Sequence, residues 1–200
     1  MQRGNERQGG VVVLNGFPGV GKLSILKQVK AALQEASTSR IILIDNHLLI
    51  DPVAAVLPDR NAEHHELRRA VRAPIFQTLR GQVQKGQTVL MTACLAEGDQ
   101  VDAAFFNEYL DLVRGTDVKL FWVNAYCDQA TMEERLTSPD RSRGTKTKLT
   151  NVDVLRELIC SQATLRPKGV YGDVQLVADS LDVGGSVESS VDKLLHIIGT

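Results

Sequence analysis

Val11 to Asn15 is an unbroken run of valine and leucine closed by one amide, and Gly16 ends it. A run of that kind suits a strand buried on both faces. From Lys22 to Ala36 the apolar residues Leu23, Ile25, Leu26, Val29, Ala32 and Leu33 recur at helical spacing, which predicts an amphipathic helix. The alternation then repeats. Strands are expected at Arg40–Asp45, Thr88–Ala93, Val118–Val123 and Val174–Ala178, and helices at Asn61–Lys85, Asp102–Val113, Asp128–Leu136 and Ser186–Ile198. Five buried strands with intervening helices predict an α/β fold, a three-layer single domain over residues 1–200. Its parallel sheet is covered on both faces, because right-handed crossovers place the helices there.

Two stretches break the rhythm. Asp51 to Arg60, with Pro52 and Pro58, reads as a loop, and with the helix start up to Arg72 it forms an acceptor-side segment, residues 51–72. Thr137 to Thr150 is polar and basic and reads as a lid segment, residues 137–150. In open parallel sheets the ligand crevice lies beyond the carboxyl ends of the strands, an edge both stretches can reach.

Composition narrows the function classes. Among 200 residues, 43% are apolar and 24% charged, and 23 basic against 24 acidic side chains give a net charge of -1. That balance argues against wholesale disorder and against a strongly cationic nucleic-acid binder, so any anion is gripped locally. Aromatics at 4% are a thin supply for stacking bases, and no apolar run approaches the ~20 residues of a membrane span. Met1 to Gly10 is polar, without a secretory core, and the three cysteines Cys94, Cys127 and Cys160 lack metal-ligand spacing. A cytoplasmic setting with reduced thiols is expected.

The chemistry is concentrated in Gly16-Phe17-Pro18-Gly19-Val20-Gly21-Lys22, which satisfies G-x-x-x-x-G-K between a buried strand and an amphipathic helix. The glycines let successive backbone N–H groups turn around a phosphate, the helix start adds its dipole, and Lys22 supplies a point charge for the outer phosphates. The next position should carry a hydroxyl for Mg²⁺, but it is Leu23. Ser24, about 100° further round the helix, is expected toward the phosphate nearest the nucleoside. Mg²⁺ is then expected to be held through water, by Ser24 and by a carboxylate elsewhere.

On this motif and the element order, the chain resembles the P-loop small-molecule kinases, which include nucleoside-monophosphate, shikimate and gluconate kinases, chloramphenicol phosphotransferase and zeta-toxin-like proteins. The resemblance implies a P-loop NTPase fold and transfer of the terminal phosphoryl group of ATP, with Mg²⁺, to a small-molecule acceptor. An acidic residue just after the second strand contacts the acceptor in that family, and Asp45 in Ile44-Asp45-Asn46-His47 matches it, as an acceptor contact or a metal ligand. His47 is a further acceptor candidate. Arg135 of Glu133-Glu134-Arg135-Leu136 matches the arginine that lies against adenine; Arg141 or Arg143 matches the lid arginine that reaches the transferring phosphate. Asp179, in Asp179-Ser180-Leu181-Asp182 after the last strand, falls in the region that cups the adenine.

Three readings come from the residues alone. Arg68 and Arg72 share a helix face and are expected to clamp an anionic or polar acceptor. The third strand ends Met91-Thr92-Ala93-Cys94 without an acid, which argues against motor-type ATPases; Thr92 is a candidate for a phosphate-bound water, and Glu97 and Asp99 for an approach to the metal. Leu23 keeps open a non-catalytic nucleotide-binding module as the alternative. A nucleic-acid 5′-end kinase is opposed by the neutral charge and few aromatics.

Overall fold

The computed structural model describes residues 10–36, 38–142 and 148–199. Its strands are β1 (Val11–Asn15), β2 (Ile41–Ile44), β3 (Thr88–Ala93), β4 (Leu120–Tyr126) and β5 (Leu176–Asp182), all parallel, in the order β2-β3-β1-β4-β5. The helices are α1 (Lys22–Ala36), α2 (His47–Val56), α3 (Ala62–Gln84), α4 (Gln100–Asp111), α5 (Gln129–Thr137), α6 (Pro139–Ser142), α7 (Val152–Ser161) and α8 (Val187–Ile198).

Alternation along the strands sorts the core into two layers. Val11, Val13, Val89, Met91, Leu120 and Trp122 face α3 and α4, where Phe105, Phe106 and Tyr109 make an aromatic cluster with Trp122. Val12, Leu14, Leu90, Phe121 and Val123 face the other way, onto Ile25, Leu26 and Val29 of α1, Leu136 of α5 and Leu194 of α8. The central strand β1 is buried along its whole length, as its apolar run requires.

Four expectations are corrected. The stretch Asp51–Arg60 is not a loop throughout: α2 runs from His47 to Val56 through Pro52, because Leu49 and Val53 bury one face and the missing proline N–H costs a single helical hydrogen bond. The final strand extends to Asp182 rather than ending at Ala178, since it pairs with β4 over seven residues. Asp179 therefore lies inside β5, exposed, its Oδ1 accepting the amide of Ser180. Lastly, α7 was not foreseen, and α6 gives the start of the lid segment helical form. Asn151 caps α7 by accepting the amides of Asp153 and Val154.

Candidate active site

The Gly16–Lys22 loop joins the carboxyl end of β1 to α1. Its start is wedged between two strands. The Gly16 amide donates to Ala93 O at 3.2 Å, and a Cβ on Gly16 would lie 2.5 Å from Ala125 O. Gly19 is left-handed at φ 94°, and a Cβ there would lie 2.7 Å from the carbonyl oxygen of Met132 in α5. Both positions thus need glycine for backbone shape and for space. Among the described residues, the amides of Gly19, Gly21 and Lys22 have no backbone acceptor, while Pro18–Gly19 form a turn that directs the Val20 amide back toward Phe17, so the loop presents donors that an anion can satisfy.

Lys22 curls over the loop, its Nζ donating to Gly16 O at 2.5 Å and Phe17 O at 2.9 Å. Burial holds its pKa below the ordinary lysine value; Cys94 and Asp45 pull it up and Arg141 pushes it further down. The charge environment of this ammonium thus includes Cys94 just after β3, Asp45 just after β2 and Arg141 of α6. Leu23 is half-buried and Ser24 exposed on the first turn of α1.

Asp45 is buried one residue beyond β2. Its Oδ1 accepts the Thr92 hydroxyl at 3.0 Å and the His47 amide at 3.4 Å, while Thr92 Oγ1 accepts the Asn46 amide at 2.9 Å. The Thr92 hydroxyl proton is thus committed to Asp45. His47 opens α2, with Nδ1 3.2 Å from Asp51 Oδ1.

Glu97 and Asp99 are used elsewhere than at a metal: Glu97 pairs with Lys168, and Asp99 caps α4 by accepting the Asp102 amide. Arg72 is corrected as an acceptor clamp. Its guanidinium grips Glu108 with both arms, at 3.0 and 2.7 Å, and lies 3.8 Å over the Phe105 ring, so it joins α3 to α4. Arg68 differs. Its Nε is buried with no hydrogen-bond partner, and burial, then Arg72 and Arg60, hold its pKa below the ordinary arginine value.

Arg135 reaches from α5 to the chain after β5, donating to Val183 O at 2.9 Å and Gly185 O at 3.2 Å. It also borders Gly21, whose Cβ position is 3.9 Å from Nη1. The segment 183–185, rather than Asp179, is what this arginine holds beside the loop. Arg141 in α6 donates to Leu149 O at 2.7 Å, and burial depresses its pKa. Arg143 lies outside the described residues.

No family model matches the chain, and no curated protein matches it in sequence. Solved structures do match. A gluconokinase from Sinorhizobium meliloti 1021 is similar over 96% of this chain and 91% of that one, at 16% identity and a TM-score of 0.54. A shikimate kinase from Bacteroides thetaiotaomicron covers 96% and 99% at 16% identity and 0.51. A shikimate kinase from Acinetobacter baumannii in complex with shikimate covers 95% and 93% at 14% identity and 0.53. The chain shares the fold of these kinase structures. In this kinase fold the loop, Asp45 and Arg135 all stand at the carboxyl edge of the sheet, where parallel α/β sheets bind ligands.

Two features were missed in the sequence. Asn15, at the end of β1, and Asn124, within β4, form a buried amide pair. The available signal was a polar residue closing the apolar β1 run for Asn15 and a polar residue inside the mostly apolar β4 run for Asn124. The other is a cavity of about 400 Å³ between the Ala96–Asp99 loop, α4 and the Leu165–Tyr171 segment, which tertiary packing alone creates.

Proposed function

We propose that this single-domain chain is an ATP-dependent phosphotransferase acting on a hydroxyl, or a phosphate, of a small molecule. The observation that carries the reading is the set of amides at Gly19, Gly21 and Lys22 without a backbone acceptor among the described residues, beneath the Lys22 ammonium. A triphosphate seated there places its outer phosphates by Lys22, within the electrostatic reach of Arg141 and Asp45. Asp45, oriented by Thr92, aligns the acceptor hydroxyl. Its oxygen forms the new bond to phosphorus as the bond to the departing diphosphate breaks, and the proton passes through Asp45 to water. Arg141, with Arg143, serves as the lid cation that stabilises the transferring group, and Arg135 lines the base side. His47 and Arg68 face the acceptor; the unpartnered Arg68 nitrogen suits one with an anionic substituent.

For Mg²⁺ the site offers the Asp45 carboxylate and the Ser24 hydroxyl. That sparse set suits an ion that keeps several waters and takes its other ligands from phosphates. Bound there, Mg²⁺ supplies charge neutralisation on the phosphate oxygens. The free thiols Cys94, Cys127 and Cys160 fit a cytoplasmic setting, and no helix among the described residues is long and apolar enough to cross a membrane.

Incubating the purified chain with Mg²⁺, terminally labelled ATP and a panel of hydroxylated acceptors, gluconate and shikimate included, tests the proposal. Label should move to an acceptor with the native chain and not with Lys22→Ala. Tight ATP binding without transfer in Mg²⁺ or Mn²⁺ would favour the non-catalytic module, which Leu23 keeps in view.

A further inference from the structure

The side chain of Asn15 is fully buried at the last position of β1, in register with Ala93 of β3 and Asn124 of β4. Its Oδ1 accepts the Leu95 amide at 2.8 Å, and its Nδ2 donates to Leu95 O at 3.2 Å and to Asn124 Oδ1 at 2.9 Å. The amide thus continues the β1–β3 ladder beyond the last residue that the backbone itself pairs. Asn124 passes the link on, donating to Leu165 O at 3.1 Å, and the Leu165 amide returns to Leu95 O at 2.8 Å. Within this circuit Asn15 uses both of its donors and its oxygen, and Asn124 uses one donor and its oxygen. An aspartate at either position would lose a donor and bring oxygens together.

This circuit sits between two things the proposed reaction needs. The next residue after Asn15 is Gly16, the start of the phosphate loop. On the other side, Leu95 and Leu165 begin the two loops that wall the 400 Å³ cavity, with Ala96, Phe106, Arg166 and Tyr171 among its lining. The first of these loops also brings Cys94 into the charge neighbourhood of Lys22 and gives the Ala96 amide to Asp102 at 2.7 Å.

We infer that Asn15 is a positioning residue: its side-chain amide fixes the phosphate loop and the two cavity-walling loops as one unit. The inference rests on the phosphotransferase reading. It assigns to Asn15 a role in nucleotide affinity that a residue filling space alone would not have.

The test uses the full chain, a fluorescent ATP analogue carrying a methylanthraniloyl group, and hydrogen exchange. Asn15→Leu keeps the volume and loses the amide; Asn15→Ser, which cannot span the circuit, is the second variant if the first folds poorly. Both should raise the analogue's Kd about tenfold after correction for the folded fraction measured by urea unfolding, since a reversibly unfolded fraction raises the apparent Kd only by the inverse of that fraction. Exchange of the Leu95 amide should speed up by about tenfold or more. Asn124→Leu removes one of the two donors to the Leu165 carbonyl, Trp122 Nε1 being the other, and the acceptor of one Asn15 N–H, but spares the Leu95 bracket, so Kd should stay within about twofold of the native value.

Asn15 variants that bind the analogue as the native chain does would overturn the inference alone. So would an Asn124→Leu chain whose Kd rises as much as theirs. A native chain that binds no analogue overturns the phosphotransferase reading, and this inference with it.

Discussion

The hydroxyl of Thr92 donates to Asp45 across the carboxyl ends of β3 and β2, and the same oxygen accepts the Asn46 amide. One threonine therefore fixes both the carboxylate and the entry to α2. Thr92→Val removes donor and acceptor together at constant shape. It should cost about 1–2 kcal/mol in urea unfolding, while Thr92→Ser keeps most of that. If the proposed role of Asp45 holds, phosphoryl transfer drops with Val and returns with Ser. A valine variant as stable and as active as the native chain would contradict this.

Lys22 gives a pH dependence. Burial lowers the pKa of its ammonium from 10.5, Cys94 and Asp45 opposing and Arg141 assisting. A polyphosphate favours the charged form, so binding in the alkaline range takes up a proton. ATP affinity should weaken as pH rises, starting below the ordinary lysine value, and calorimetry in buffers of different ionisation enthalpy should detect the uptake. Constant affinity through that range would count against Lys22 as the phosphate contact.

Leu23 stands where a hydroxyl would ligate the metal directly. Leu23→Thr should lower the Mg²⁺ concentration for half-maximal nucleotide binding by about threefold or more, since one oxygen ligand is added to a sparse set. Titrating Mg²⁺ at fixed ATP checks it. An unmoved midpoint means the ion sits away from this turn.

The Arg72–Glu108 pair is structural, with Arg72 nearly enclosed and Glu108 more open. Arg72→Ala leaves a shielded carboxylate and removes the cover on Phe105. The expected loss is about 2–4 kcal/mol in stability, with nucleotide affinity unchanged. A selective loss of affinity at full stability would restore Arg72 to the ligand site.

Glu133 on α5 holds Arg156 on α7 through two bonds of 2.8 Å. The Arg156 guanidinium, helped by Gln129, brings the Glu133 carboxyl from 4.5 down to about 2. A depressed carboxyl pKa stabilises the fold above the unfolded value, and that contribution is lost as pH falls from 4.5 toward 2. Carboxyl NMR should show the low titration in the native chain. Glu133→Gln should flatten the acid dependence of the melting temperature over that window.

What the chain reveals to a reader depends on how local the cause is. β1, the phosphate loop and α1 are legible because an apolar run, spaced glycines and a helical stripe each act within a few residues. Pro52 misled because burial of Leu49 and Val53 outweighs one absent hydrogen bond. Arg68 and Arg72 look alike in sequence, yet only packing against α4 sends one to Glu108 and leaves the other's Nε unpartnered. Asn15 carried a weak sign, a polar end to an apolar strand, but its partners lie 80 and 109 positions away.

Helix α5 does two jobs at once: Met132 backs the loop at Gly19, and Arg135 is tethered to the chain after β5. Its last apolar residue, Leu136, is sealed in the core. The Ser138–Pro139 junction is where the chain leaves this anchored helix. If the segment beyond Ser138 moves as the proposed lid, the Met132 backing of Gly19 need not move with it.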